Sequence, residues 1–591
     1  MNAAMRSLPP ALAVFLAFIA TAPLYLPDFY VTLLNYIGMA TLVTLGLVLL
    51  TGVVGLISFG QQAFVGLAAY TTAVLTTVWG ASPWAGLAAA LALTAIAALV
   101  LGFISLRLSG HYLALTTIAW AISAYYLFGS FELLGKHNGI ANLPRLELFG
   151  WRLDSVGRSH YLIWVVTLAA LIAASNLLDS RTGRAIRALR FRGVMAESFG
   201  VDTAALRYLV FLYAALLAGL SGWLYAHYLR VISPGAFGVN AGIDYLFMAV
   251  VGGAGNVWGA VIGASLLTVL KELLQDLLPR FFGQSANYEI VVFGLLMMIL
   301  LHRSRDGLMP AFARWLPARA PARTRGAAAP LERRKQPNPG EPLLEVRAAE
   351  KRFGGLVAVN KLSFNLASGE ILGLIGPNGA GKSTMFNLMT GVLRSDSGEI
   401  LFRGERIEQL ASTDIARRGI CRTFQHVNLI SAMPVLENAA IGAHLRGSRG
   451  TVAAMLRRDR GEEAQLLEEA ATQLERVGRG DHLYEPAGNL PLGKQRIVEI
   501  ARALCGDPIL LLLDEPAAGL RYEEKKALAD LLRRLRGEGM TILLVEHDMD
   551  FVMGLVDRLV VMDFGVKLAE GLPAEIQANP EVLEAYLGGM E

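Results

Sequence analysis

At 591 residues the chain is too long to be served by one hydrophobic core, so two or more domains are expected. Apolar residues make up 54% and charged residues 17%, against about 25% charged in an average soluble domain. A formal net charge of +4 gives no basis for a nucleic-acid partner, and two cysteines, Cys421 and Cys505, argue against a disulfide framework and fit a reducing cytosol.

The averages conceal two populations. Residues 1–302 are a succession of long apolar runs, whereas residues 343–591 have ordinary soluble composition. The opening segment, with Arg6 followed by Ala11 to Ala20, has the outline of a secretory leader. Another apolar run follows at once, with no small-residue cleavage site leading into a soluble domain, so the segment is read as a first span. A span needs about 20 apolar residues. Candidates fall at 11–27, 30–50, 54–78, 84–105, 112–130, 161–178, 208–228, 238–252, 257–275 and 286–302, the eighth short enough to be re-entrant.

Basic residues in short loops orient such a chain. The connection 179–207 carries Arg181, Arg184, Arg187, Arg190, Arg192 and Arg207. The stretch after the last span carries Arg303, Arg305, Arg314, Arg319, Arg323 and Arg325. Six spans before the first basic loop and four after it put Arg6, Arg107, both basic segments and the soluble half on the cytoplasmic side.

Gly255, Gly259 and Gly263 recur at i, i+4 and i+8, a flat stripe against which a neighbouring helix can pack closely. Ser58, Gln61, Gln62, Thr116 and Thr117 are polar groups in or beside apolar runs. They mark either a solute pathway or hydrogen bonds between helices. Segment 304–342, rich in Pro, Ala and Arg, reads as an extended linker.

The soluble half opens its chemistry at Gly376-Pro377-Asn378-Gly379-Ala380-Gly381-Lys382-Ser383-Thr384. The stretch follows the apolar run Ile371–Ile375 and precedes a helix-like run, so it is a phosphate-binding loop in its strand–turn–helix setting. Its glycines let backbone N–H groups curl around phosphates, and the helix N-terminus adds positive potential. Lys382 is placed to reach the outer phosphates and Ser383 to hold Mg²⁺. The buried-strand run Ile509–Leu513 ends in Asp514-Glu515, one carboxylate for Mg²⁺ and one to polarise the attacking water. Gln425 follows Arg422-Thr423-Phe424, where its amide can touch metal and water. His547 follows the strand Thr541–Val545, at the edge where ligands sit in such sheets. Phe353, upstream, can stack on adenine.

In this order the motifs resemble the ATP-binding-cassette ATPases, over about residues 343–591. The family's signature stretch, Leu-Ser-Gly-Gly-Gln, is matched by Leu490-Pro491-Leu492-Gly493-Lys494-Gln495-Arg496. Pro491 replaces the serine that would touch the opposite γ phosphate, and Leu492 replaces the first glycine. Arg521 stands where Asp or Asn is common. The segments Ala348–Leu356 and Asn579–Gly588 resemble the ATPases of branched-chain amino-acid importers. In the apolar half, Gly52–Tyr70, Leu106–Ala114, Asn138–Ile140, Tyr225–Tyr228, Ile232–Pro234 and Val251–Gly259 are similar to the matching permeases.

These resemblances imply a polytopic all-α membrane domain followed by an α/β phosphate-loop ATPase. The expected division is a permease over 1–302 with about ten spans, a linker over 303–342 and the ATPase over 343–591. They imply ATP and Mg²⁺ as cofactors, and Ala196-Glu197-Ser198-Phe199-Gly200 as a coupling helix docked on an ATPase. They also imply a second permease, a second ATPase and an extracytoplasmic solute-binding protein as partners, in a bacterial inner membrane with the ATPase cytoplasmic. The expected function is ATP-driven import of branched-chain amino acids or related small amides and carboxylates. An exporter half-transporter and a non-transporting membrane sensor ATPase are the rival readings.

Overall fold

The computed structural model describes residues 10–106, 111–148, 150–190, 192–282, 288–303, 307–309 and 328–587. Arg6, Arg107, Leu108, Ser109, Gly110, Arg305, Arg314, Arg319, Arg323, Arg325 and Gly588, all used above, lie outside the described residues. Contacts divide the chain into residues 1–177 with 204–320, and residues 178–203 with 321–591.

In the first unit each apolar run folds as a helix, the one open-chain form that satisfies its own backbone polar groups in hydrocarbon. These are α1 (Pro10–Tyr25), α2 (Asp28–Leu47), α3 (Gln61–Thr77), α4 (Pro83–Ser105), α5 (His111–Ser130) and α6 (Val156–Leu178). After α7 (Arg181–Leu189) and α8 (Gly193–Glu197), which belong to the second unit, come α9 (Thr203–Leu229), α10 (Val239–Gly253), α11 (Val257–Phe282) and α12 (Tyr288–Arg303). Among the described residues six stretches are long and apolar enough to cross a membrane, namely 28–54, 83–105, 112–130, 156–178, 203–229 and 257–278. The stretches 11–25 and 239–253 are apolar but shorter.

The third run begins later than its composition suggests. Residues Val48–Val54 continue α2 as a π-helix, which Gly55 ends in a left-handed conformation, so α3 starts only at Gln61. The glycine stripe also needs correction. Gly255 lies in the turn before α11, at φ 116°, and is not on the helix. Gly259 and Gly263 do pack closely: a Cβ on Gly263 would lie 1.8 Å from the Met248 carbonyl of α10. Helix α4 shows how a bilayer inverts the usual pattern. It buries small residues at Gly86, Ala90, Thr94, Ala98 and Gly102, and leaves Leu93, Ile96, Val100 and Phe103 exposed. Small residues let helices approach, and the large apolar ones face outward as lipid contact requires. An apolar core of Ile37, Ala40, Trp164, Met248, Ala264 and Leu267 ties α2, α6, α10 and α11 together.

The second unit is built on two sheets. Strands β1 (Pro342–Phe353), β2 (Leu356–Ala367), β4 (Ser397–Phe402) and β5 (Glu405–Arg406) form an antiparallel sheet in the order β2-β1-β4-β5, with β3 (Ile371–Ile375) leaving it for the other. Strands β6 (Ile420–Arg422), β7 (Leu510–Asp514), β8 (Thr541–Val545), β9 (Arg558–Asp563) and β10 (Val566–Gly571) complete a six-stranded sheet ordered β6-β7-β8-β3-β9-β10. It is parallel except for the β9–β10 hairpin. Strands β3, β7 and β8 are wholly buried, as their unbroken aliphatic runs require in a parallel sheet covered on both faces. Both cysteines are free and buried. Of the stretch read as a linker, residues 328–341 have no helix or strand, and Arg333, Arg334 and Gln336 bond to Glu469, Asp507 and Pro508 of the same unit.

Candidate functional site

Four parallel strands deliver their following residues to one edge. Strand β3 ends at Ile375 and turns through Gly376, whose φ of 152° puts a would-be Cβ 2.1 Å from the Met562 carbonyl. At Gly381 (φ 96°) a Cβ would meet the Ala358 carbonyl at the same 2.1 Å. Only glycine fits either place, and the loop so shaped feeds α13 (Lys382–Met389). Asn378 and Gly379 are exposed at the loop's tip, Ser383 is exposed on the first helical turn and Thr384 half-buried beside it. Lys382 is buried, and its ammonium donates to the carbonyl oxygens of Gly376 (2.7 Å) and Pro377 (2.9 Å). Burial lowers its pKa, and the nearby Glu515 and Asp514 oppose that. A cation held over a loop of left-handed glycines at a helix N-terminus fits the phosphates of a nucleotide.

The carboxylates come from β7. Asp514 is buried, its N–H donating to the Thr423 hydroxyl at 3.3 Å, and burial pushes its carboxyl up to about 6 against the opposing Arg422 guanidinium. Glu515 has a positive φ of 45°, a strained backbone of the kind that gathers at functional sites. That conformation brings its carboxylate 3.0 Å from the Gln425 amide, which donates to it, and 3.7 Å from His547 Nδ1. Lys382, Asp514, Glu515, Gln425 and His547 thus converge, with Ser383 one residue from the lysine. The carboxylate of Asp514, the hydroxyl of Ser383 and the amide oxygen of Gln425 together would supply an all-oxygen donor set of the kind Mg²⁺ prefers. Phe353 ends β1 on the other sheet, 47% exposed, with the Lys351 ammonium 5.8 Å from its ring centre.

Some residues that shape this edge were not singled out from sequence. Arg422 lies between the rings of Phe386 and Phe424, at 4.6 and 4.5 Å, and donates to Asn387 and Thr390. Glu546, fully buried, accepts from the N–H groups of Ala517 (2.6 Å) and His547 (3.1 Å), holding the two loops together. Burial nevertheless raises its pKa. The pair Glu546-His547 at a strand end was the available signal, since a carboxylate directly after an aliphatic run has loop N–H groups within reach.

The signature-like stretch caps α15, the helix Leu492–Cys505; α14 (Arg460–Arg476) precedes it. Leu490 is buried and accepts from the Gln495 side-chain amide at 2.7 Å. Pro491 is the exposed N-cap residue and makes no side-chain cap bond. Gly493 is buried where a Cβ would lie 2.3 Å from the Glu524 carboxylate of α16 (Tyr522–Gly537). Lys494 bonds to His482 at 2.9 Å. Arg496 donates to the carbonyls of Glu515 and Gln425, both at 3.0 Å, which ties this helix to the carboxylate edge.

Residues 178–203 pack on the helices of the same unit. Arg184 and Glu463 form an ion pair in which both side chains are almost fully buried. Arg187 pairs with Glu437 at 3.1 Å, Arg460 with Asp179 at 3.1 Å, and Arg181 donates to the His444 carbonyl at 2.6 Å. Burial beside these arginines presses His444 down to about 3, so its ring is neutral. Ala196 is buried in α8, Glu197 accepts from the Thr203 hydroxyl at 2.5 Å, and Gly200 is seated under Leu445. Phe199 presents its ring to the Arg502 guanidinium at 5.2 Å.

In the first unit the two readings of the polar residues separate. Thr117 accepts from the Phe59 N–H and bonds to its own helix, Thr116 does the latter, and Ser58 accepts from Gly60. Gln61 and Gln62 differ: both are buried, and no side-chain amide atom of either has a hydrogen-bond partner among the described residues.

Residues 29–301 match the family model described as a branched-chain amino acid transport system / permease component. Residues 359–518 match that of ABC transporters, and residues 566–591 that of the branched-chain amino acid ATP-binding cassette transporter. The chain is similar to the high-affinity branched-chain amino acid transport ATP-binding protein LivG of Escherichia coli K12, 46% identical over 42% of this chain and 98% of LivG. It is likewise similar to BraF of Pseudomonas aeruginosa, a protein of the same description, 42% identical over 42% of this chain and 98% of BraF. A crystal structure of a nucleotide-free ATP-binding cassette from an ABC transporter is 31% identical, covering 42% of this chain and 99% of its own, with a TM-score of 0.37.

Proposed function

Because the chain belongs to the branched-chain amino-acid ATP-binding-cassette transporter family, as a permease fused to its own ATPase, we propose that it drives uptake of branched-chain amino acids or related small amides and carboxylates across a bacterial inner membrane. The observation that carries the reading is the meeting of Lys382, Asp514, Glu515, Gln425 and His547 at one sheet edge, in a unit that also holds the basic segment 178–203.

When bound with ATP, Mg²⁺ would supply charge neutralisation for the phosphoryl group being transferred. Ser383, Asp514 and Gln425 are the residues that would hold it. Lys382 releases the Gly376 and Pro377 carbonyls to take phosphate oxygens, an exchange of neutral for charged acceptors. Glu515, fixed by its strained backbone and by Gln425, accepts hydrogen bonding from the attacking water. His547 stands across Glu515 as a donor toward the same region. Phe353 offers a stacking face for the base.

Members of this family act with partner permease and ATPase subunits and a solute-binding protein. Here the second ATPase presents its signature to this chain's phosphate loop, while Leu490 to Gln495 face the partner's loop. Movement of the cassettes passes to the membrane through residues 196–200, held by the arginine contacts of segment 178–203. The test is reconstitution with the partner subunits and the binding protein encoded beside this chain. Uptake of leucine that requires ATP and stops with Glu515→Gln supports the reading. ATP turnover indifferent to the loaded binding protein, with no uptake, returns the chain to the sensor class.

A further inference from the structure

The second unit carries a concentration of positive charge that the nucleotide edge does not use. A hollow of about 440 Å³ is lined by five cations, Arg334, Lys335, Arg403, Arg417 and Arg418, and one carboxylate, Glu405. Its floor is apolar: Phe402 and Ile509 line it and are buried. Ile509 leads into β7 and Arg418 lies just before β6, so the hollow sits at the opposite ends of these strands from Asp514 and Arg422. The length of β7 puts about 15 Å between it and the carboxylate edge. Glu405 is taken by Arg418 at 3.0 Å, and Arg417 by Asp414 of its own short helix at 2.7 Å. Lys335 and Arg403 are exposed and make no ion pair among the described residues. Arg334 donates its backbone N–H to Asp507, but its side-chain Nη1 is buried without a hydrogen-bond partner, where a Cβ on Gly419 would lie 2.8 Å from it.

Three positive charges thus stay uncompensated over a floor that offers no counter-charge, and a concavity lined by one sign of charge gathers anions. The count sets the valence of the ligand. A monoanion neutralises one charge of the three, and a zwitterion or a neutral amide none. Guanidinium forks match the oxygens of phosphate, and the Lys335 ammonium adds a point charge. The volume is of the size that small ligands occupy. We propose that this hollow is a site for the phosphate groups of a ligand carrying two or more negative charges, either a soluble phosphorylated molecule or the headgroup of a lipid with two phosphates. Bound there, the ligand bridges Arg334 and Lys335, on the stretch that leads into β1, to Arg403 on the β4–β5 hairpin, and so fixes that stretch in place. The site shares no residue with the nucleotide edge, so the proposal stands or falls apart from the import reading.

The probe is pyrophosphate, titrated calorimetrically into the purified full-length chain in phosphatidylcholine nanodiscs. The chain carries Lys382→Ala, so that the phosphate loop does not contribute. Pyrophosphate is expected to bind saturably, and inorganic phosphate at least about tenfold more weakly, as loss of a charged hydrogen-bond partner implies. Lys335→Ala and Arg403→Ala, each added to the same chain, should weaken pyrophosphate by a similar factor. Neither breaks an ion pair, so the fold is kept. Pyrophosphate should also slow tryptic cleavage after Lys335, and cease to do so with Arg403→Ala. Nanodiscs of equal parts phosphatidylcholine and cardiolipin separate the two sources. Competition that weakens pyrophosphate there, and is lost with Arg403→Ala, supports a lipid headgroup; an unchanged affinity supports a soluble ligand. Absence of saturable binding, equal affinity for phosphate and pyrophosphate, or both alanine variants indistinguishable from the parent would each overturn the site.

Discussion

At the proposed nucleotide site Glu515 and Lys382 would each use one charge in a different way. Lys382 is a point charge whose partners, the Gly376 and Pro377 carbonyls, are replaceable by phosphate oxygens. Lys382→Ala should therefore abolish ATP binding, read by fluorescence of a labelled nucleotide; retained affinity would remove Lys382 from the site. In the proposed mechanism Glu515 acts only where water attacks, so Glu515→Gln is expected to bind ATP near normally. Its turnover should fall by roughly 10²- to 10⁴-fold, the usual contribution of a positioned base. Near-parental ATPase activity in the purified Glu515→Gln assembly would reassign the base. The loop glycines and the Asp514-Glu515 pair were legible in the sequence because each rests on local backbone chemistry, and the family match came with them. The clamps were not: Arg422 between two rings, and Glu546 between two loops, depend on strands distant in the chain.

Segment 178–203 is where an element earns a role beyond its own residues. Its arginines read in the sequence as an orientation signal, and in the structure three of them contact the helical part of the second unit. What the sequence could not give was the partner of each, because Glu437, Glu462 and Glu463 are ordinary helix glutamates until the fold buries them. Arg184 and Glu463 are buried enough that removing one partner strands the other charge, which costs about 3–5 kcal/mol. Glu463→Ala should accordingly loosen the segment while sparing the nucleotide edge. The expected result is basal ATPase activity close to the parent, with stimulation by the loaded binding protein lost. The double variant Arg184→Met with Glu463→Leu, which leaves no unpaired charge, should recover resistance of the segment to proteolysis. If Glu463→Ala keeps full stimulation, the ion pair has no part in coupling. Boundaries were the weaker side of the sequence reading: α3 begins at Gln61 because the preceding helix runs on as a π-turn to Val54, which apolar composition alone cannot reveal.

For the whole molecule, orientation and assembly follow from charge and from one imino acid. The basic loops predict residue 190 on the cytoplasmic side and residue 142 outside. An impermeant thiol reagent applied to intact cells should label Asn142→Cys and miss Arg190→Cys, and the reverse pattern would invert the topology. The assembly prediction rests on Pro491, which offers neither a side-chain hydroxyl nor a backbone N–H to a facing γ phosphate. The composite site that uses this signature should be the weaker of the two. The site built on Lys382, Glu515 and His547 should be the active one when a partner brings an intact signature, so a heteromeric assembly is expected. Pro491→Ser separates that role from simple helix stability. A serine N-cap on α15 should add about 0.5–2 kcal/mol whether or not nucleotide is bound. Restored contact with phosphate should appear only as faster ATP turnover in the assembled complex. A higher melting temperature with unchanged turnover means that the N–H groups around Gly493 suffice. If the chain also purifies solely as a homodimer with full ATPase activity, the asymmetry does not exist.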